Sequence, residues 1–102
     1  MTGIAEFQTH IADLYLAKDR RRGTTGTMLW MVEEIGELAE AVRRGEKEGL
    51  EEEMADVLAW LASLANLLDV DLEKAVAAKY PATCKRCHAK PCACPEPSIA
   101  PL

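Results

Sequence analysis

Two groups of side chains in this 102-residue chain have the types and spacing to do chemistry. The first is acidic: Glu33, Glu34 and Glu37 within WMVEEIGELAEA, and Glu53 and Asp56 within EEEMADVLAWLASLANLL. At about 100° per residue on a helix, Trp30, Met31, Glu37, Leu38 and Ala41 fall within about 60° of Glu34. Around Glu53 the same window holds Leu50, Asp56, Val57, Trp60 and Leu64. In both stretches, carboxylates share a stripe with large apolar residues instead of facing solvent. Glu33 points about 100° away from Glu34, towards Glu40 and Arg44, as a flanking acid or a surface residue.

If a hairpin turn is centred near Gly45, Glu37 and Glu53 each lie eight residues from it, and Glu34 and Asp56 eleven. In antiparallel helices equal separations mean equal heights, here about 12 to 17 Å from the turn at 1.5 Å per residue. Four carboxylates that converge in this way raise one another's pKa unless a cation sits among them. Oxygen ligands select a hard divalent ion, Mg²⁺ or Mn²⁺. The plainer reading of a Glu run on a helix is a solvated face, which fits Glu46, Glu48, Glu51 and Glu52 around the turn.

The second group is a thiol cluster. CKRCHAKPCAC places Cys84, Cys87, Cys92 and Cys94 in the pattern CxxCxxxxCxC, compact enough for a tetrahedral zinc knuckle with each sulfur about 2.3 Å from the metal. In a reducing compartment clustered thiols more often hold metal than form disulfides. Four thiolates also suit an iron–sulfur centre, and a flexible thiol-rich tail is the plain alternative. His88 follows Cys87 directly and could replace one thiol, although four cysteines already complete a site.

The elements that position these groups are helical. Apolar residues recur at three- and four-residue spacings up to about Lys79, with no alternating β-branched run, so the fold class expected is all-α. A first helix covers about residues 4–18, with Ile4, Phe7, Ile11, Leu14 and Tyr15 on one face, and ends in a basic run before Gly23. Thr24, Thr25 and Thr27 are cap candidates for a second helix that stops near Gly45. A third covers about residues 48–68, and Asp69 or Asp71 caps a short fourth that Pro81 closes. Beyond it the composition shifts to Cys, Pro, Lys and Ala. The organisation expected is a helical domain over 1–80, a cysteine-rich extension over 81–95 and a disordered tail over 96–102.

Apolar content of 49% in 102 residues supports a single small core that is marginal unless copies associate. Leu29, Val32, Ile35, Ala39 and Val42 on the second helix, and Leu58, Leu61, Ala62, Ala65 and Leu68 on the third, exceed what one hairpin and one short covering helix can shield. The excess predicts a four-helix-type bundle formed through oligomerisation, a homodimer or homotetramer. A net charge of -5 argues against a broad basic surface for nucleic acid. The longest apolar run, about twelve residues from Val57, is short of the roughly twenty that span a bilayer. The polar N-terminus has no signal-peptide core, so a cytoplasmic protein without a membrane partner is expected.

WMVEEIGELAEA followed by EEEMADVLAWLASLANLL resembles the EExxE and ExxD motifs of the MazG-like nucleoside triphosphate pyrophosphohydrolases. That all-α superfamily also includes dimeric dUTPases and phosphoribosyl-ATP pyrophosphohydrolase, and the resemblance covers about residues 24–80. It implies Mg²⁺-dependent hydrolysis of an NTP or dNTP to the NMP and pyrophosphate, as in nucleotide-pool house-cleaning. By position the metal ligands would be Glu34, Glu37, Glu53 and Asp56, with Glu33 as the accessory acid. Such chemistry needs charge neutralisation and a positioned water but no Cys, Ser or His nucleophile. Arg20, Arg21, Arg22, Lys79 and Lys85 are candidates for the outer phosphates, and Trp30 or Trp60 for core packing or base stacking. The chain departs from longer members in lacking a clear downstream Lys/Arg and Asn set on the third helix, and Asn66 projects away from Glu53. A KYPxxCxxCxxxPCxC ending is similar to that of a subgroup of these proteins and implies a built-in structural zinc module. Two other readings stand beside the enzyme: a pyrophosphohydrolase acting on phosphoribosyl-ATP or another nucleotide, and a zinc-stabilised helical adaptor whose acidic hairpin binds a partner protein.

Overall fold

A computed structural model describes residues 3–96. The expected disordered tail lies, apart from Glu96, outside the described residues. Among these the fold is all-α, with α1 (Ile4–Arg44), α2 (Lys47–Leu67) and α3 (Leu72–Lys79) and no strand. No helix in this set is long and apolar enough to cross a membrane. The described residues divide into two compact units on either side of the Leu72–Glu73 bond.

In the first unit α1 is two helices joined at a kink. Gly23, with φ 83° and ψ 170°, is its non-helical residue, in a region that only glycine enters at low cost. The break expected after the basic run is therefore present, but it takes a single residue, and the second arm starts without a loop. Thr27 does not cap that arm. It is fully buried and accepts a hydrogen bond from Arg22. Gly45 ends α1 in the left-handed conformation (φ 72°), its N–H donating to the Ala41 carbonyl, and α2 follows after Glu46 alone. Such a short link forces α1 and α2 into an antiparallel hairpin. Its register is symmetric about Gly45: Trp30 stacks on Trp60, fifteen residues to either side.

The first arm packs on the C-terminal half of α2. Gln8 Nε2 donates to Asn66 Oδ1 (3.1 Å) and to the Val70 carbonyl (2.7 Å), its Oε1 accepts from the Leu72 N–H (3.0 Å), and Asn66 Nδ2 returns a bond to the Gln8 carbonyl (3.2 Å). This is the role of Asn66. Asp69, a cap candidate for α3, instead closes α2: it is left-handed (φ 56°) and the Val70 N–H reaches back to the Ala65 carbonyl at 2.9 Å, a Schellman-type ending with Asp in the usual Gly position.

Among the described residues the buried apolar ones are few and mostly small: Ile11, Ala41, Ala62 and Ala65. Met28, Leu29, Val32, Ile35 and Val42 on α1, Met54, Leu58 and Leu61 on α2, and Leu68 just beyond it are all exposed in the single chain. Small residues allow the hairpin helices to approach closely, and the large ones form a second apolar stripe pointing away from the hairpin interior.

Candidate functional site

The second arm of α1 brings Glu34 and Glu37 to α2, whose first half carries Glu53. One carboxylate oxygen from each of these three residues lies within 4.8 Å of the other two. Glu34 and Glu53 are half-buried, and Glu34 Oε2 and Glu53 Oε2 are shielded from water without any hydrogen-bond partner. Burial, more than any other factor, pushes Glu34 up to about 7; the Glu37 charge, contact with Glu53 and the Asp56 charge act in the same direction. Burial also raises Glu53, while the hydrogen bond from Glu34 opposes that rise. Burial and the crowding of carboxylates thus favour the protonated form of Glu34 when no cation is among them,.

Asp56 is exposed and lies outside the three-oxygen group, yet close enough for its charge to raise both Glu34 and Glu53. Glu33 is exposed and also outside the group. The donor set suits a hard divalent cation. Ligand oxygens about 2.1 Å from Mg²⁺ sit at most about 4.2 Å apart, so oxygens within 4.8 Å need to move by less than an ångström. Such an ion would also satisfy the two orphaned oxygens, which cost free energy as they stand.

On the turn side of these acids, a cavity of about 370 Å³ is lined by Glu37, Glu40, Ala41, Glu46, Gly49, Glu52 and Glu53 and, as its cation, Arg44. Arg44 also lies 3.6 Å from Glu40. Sequence spacing did not single it out; the available signal was its place at the end of α1, one residue before Gly45.

On the other side lie the two indoles, their centroids 6.1 Å apart and their planes 11° from parallel. Trp60 is half-buried, whereas Trp30, 48% exposed, is not a core residue. Arg22 spans this end. It donates to Asp19 Oδ1 (2.8 Å) and Thr27 Oγ1 (3.2 Å), and its guanidinium lies 4.6 Å from the Trp60 ring centroid. Gly26 makes room for it, since a Cβ there would come within 2.9 Å of Arg22 Cγ. Of the three arginines considered for phosphate, Arg22 is thus committed internally, while Arg20 and Arg21 are exposed. Asp19, 1% exposed, was missed by periodicity; its i,i+3 spacing to Arg22 was the available signal.

A family model for the MazG nucleotide pyrophosphohydrolase domain matches residues 22–88. The chain belongs to the MazG nucleotide pyrophosphohydrolase family. The matched MazG segment begins at the kink of α1 and contains Glu33, Glu34, Glu37, Glu53 and Asp56, together with Arg44 and both indoles, while Asp19 lies before it. Comparison with curated proteins found no match.

The second unit holds the thiols. Cys84, Cys87, Cys92 and Cys94 each place a sulfur within 4.8 Å of the other three, and His88 is not part of the group. The Cys84–Cys94 sulfurs are 3.8 Å apart and the Cys87–Cys92 sulfurs 3.9 Å. Those separations are far beyond a disulfide of about 2.05 Å. They match the edge of about 3.8 Å expected of a tetrahedron with sulfurs about 2.3 Å from its centre. The loop holds this shape through main-chain bonds: His88 N–H to the Cys84 carbonyl, Cys84 N–H to the Ala89 carbonyl, and the N–H groups of Ala93 and Cys94 to the sulfurs of Cys87 and Cys92. The amides of Cys87 and Arg86 lower Cys84 to about 6, and those of Ala89 and Ala93 lower Cys87. The neighbouring Cys92 and Cys87 thiols push Cys94 up to about 12. One cluster thus favours a first thiolate and resists a full set unless a cation compensates the charge.

Proposed function

We propose that this MazG-family protein is a Mg²⁺-dependent pyrophosphohydrolase that converts an NTP or dNTP to the NMP and pyrophosphate. The observation that carries the reading is the pair of buried, partnerless oxygens on Glu34 and Glu53 beside Glu37, within the segment that the family model matches. Glu34, Glu37, Glu53 and Asp56 hold the divalent ion, Mg²⁺ or Mn²⁺. When bound, it neutralises triphosphate charge and makes pyrophosphate a better leaving group. Glu33, outside the cluster, is the accessory acid that orients the attacking water and accepts its proton. Arg44 lines the adjoining cavity and binds an outer phosphate,. Asp19 and Thr27 hold Arg22 under Trp60 and so fix the indole wall one turn from the acids.

The four thiols bind one structural Zn²⁺, a reading supported by the two sulfur separations close to a tetrahedral edge and by the convergence of all four sulfurs within 4.8 Å,. A second copy covers the open stripe of Val32, Ile35, Leu58 and Leu61, because the fully buried apolar set of one chain is too small to stabilise it well,.

The test is pyrophosphate release from a panel of NTPs and dNTPs with Mg²⁺. Glu37→Gln and Asp56→Asn should each abolish release while the circular dichroism spectrum stays helical; turnover that survives both substitutions sinks the assignment. Calorimetry with Mg²⁺ separates the enzyme from a non-catalytic adaptor, which has no reason to bind divalent ions at the acids.

A further inference from the structure

The acidic balance of the chain is not shared evenly. Residues 1–72 contain seven Lys and Arg against fifteen Asp and Glu, a net charge of −8. Residues 73–102 contain five cations against only Glu73 and Glu96, a net charge of +3. The small unit is therefore a basic body joined to a strongly acidic one.

Four of its five cations are gathered at one place. A cavity of about 820 Å³ is lined by Lys79, Lys85, Arg86 and Lys90, together with Tyr80 and the apolar Pro81, Ala82 and Ala89. Lys85 donates to the Ala78 carbonyl, and none of the four is ion-paired with a described carboxylate. Glu96 is the one acid in the lining. Tyr80 directly follows α3 and is 72% exposed, an uncommon position for a ring that could pack inward. Lys79 ends α3, and the loop that carries Lys85, Arg86 and Lys90 is held in shape by the thiol cluster and its main-chain bonds.

From this we infer a second function: the cysteine unit binds single-stranded nucleic acid, with the four cations on successive phosphates and an unpaired base stacked on Tyr80. Three features favour that ligand over other polyanions. Cations beside apolar surface match a strand that presents phosphates and flat apolar bases together. An acidic peptide would use the cations and leave Tyr80 and the prolyl and alanyl surface idle. A duplex would satisfy the cations but keeps its bases inside the stack, out of reach of a ring at the rim. The overall charge of the chain, which speaks against a broad basic surface, does not describe this unit. The inference stands apart from the pyrophosphohydrolase reading, since none of its residues belongs to the acid cluster.

The experiment uses the whole 102-residue chain, zinc-loaded, and a fluorescein-labelled oligo(dT) of about twelve nucleotides, read by anisotropy. With three or four phosphates engaged, and a slope of about 0.7 per phosphate on single strands, affinity should fall about 20- to 50-fold between 50 and 200 mM salt. Tyr80→Ala, at an exposed position, should weaken binding about 5- to 150-fold. The double substitution Arg86→Gln with Lys90→Gln should flatten the salt slope by about half. Zinc content and helicity measured on each variant separate lost contacts from lost folding. Four results would each overturn the inference: no saturable binding at 50 mM salt, variants that bind like the parent, equal binding of a duplex of the same length or of polyglutamate, or displacement of the strand by free nucleoside triphosphate at equal phosphate concentration. Pyrophosphate release is measured in parallel and does not bear on these outcomes.

Discussion

Arg22→Met should be among the most destabilising substitutions outside the acid cluster. The Asp19 side chain is 2% exposed and the Arg22 side chain 25%, at 2.8 Å. Removing one partner of a buried pair costs about 3–5 kcal/mol, mostly because the remaining charge is left without a counterion. The exposed quarter of Arg22 admits some water, so the low end, about 3 kcal/mol, is the figure to use. The guanidinium at 4.6 Å from the Trp60 centroid adds about 0.5–1 kcal/mol. A loss of about 3–4 kcal/mol is a large share of the 5–15 kcal/mol typical of small domains, and corresponds to a fall in melting temperature of roughly 12–30 °C. Urea unfolding followed by circular dichroism and by tryptophan fluorescence measures it, at fixed protein concentration because self-association would make stability concentration-dependent. In the Arg22→Met background, Asp19→Asn removes the stranded charge and should recover about 2 kcal/mol, which a double-mutant cycle reports as coupling. Arg22→Lys keeps a charge near Asp19 but loses the planar face over the indole, and should fall between. The reasoning fails if Arg22→Met unfolds within about 0.5 kcal/mol of the parent, or if Asp19→Asn rescues nothing.

Without divalent ion, Glu34 favours the folded state while protonated, because its folded pKa of about 7 lies above the ordinary 4.5. Stability should therefore be highest below pH 4.5 as far as this group is concerned and decline as pH rises to 7; Glu34→Gln should flatten that decline, and added Mg²⁺ should reverse it at pH 7 and above. Arg44→Ala should raise KM for the nucleotide about tenfold with little change in helicity, as expected for one lost charge-assisted phosphate contact; an unchanged KM removes Arg44 from the site. Dialysis against a mild hard-ligand chelator should take away activity reversibly and leave one zinc per chain by elemental analysis. Cys84→Ser with Cys87→Ser should lose the zinc yet keep Mg²⁺ binding, and loss of Mg²⁺ binding in that variant would join the two centres. Ile35→Glu with Leu58→Glu should shift light scattering towards 11.2 kDa, and a parent already at that mass would count against the bundle.

Much of this protein follows from periodicity. A helix converts sequence spacing into angle and height, so the convergence of Glu34, Glu37 and Glu53 at one level of the hairpin, and the symmetric register about Gly45, could be worked out before any coordinates, although Glu37 faces solvent where its stripe pointed inward. Glycine at 23 announced a break because few other residues enter its backbone conformation. The CxxCxxxxCxC spacing bounded the thiols to one loop. Periodicity does not supply the closeness of approach. Asp56 shares the height and stripe of its partners, yet it stays outside the oxygen group because an Asp side chain is one methylene shorter and its Cα–Cβ direction decides what it can reach. Nor could spacing reveal that Arg22 turns inward to Asp19, Thr27 and Trp60, that Gln8 and Asn66 fasten the first arm, or that Trp30 remains open. Those outcomes depend on which surfaces meet once Gly23 redirects the chain. Hydrogen bonds and ion pairs are short-ranged and directional, and only the assembled tertiary structure determines which donor faces which acceptor.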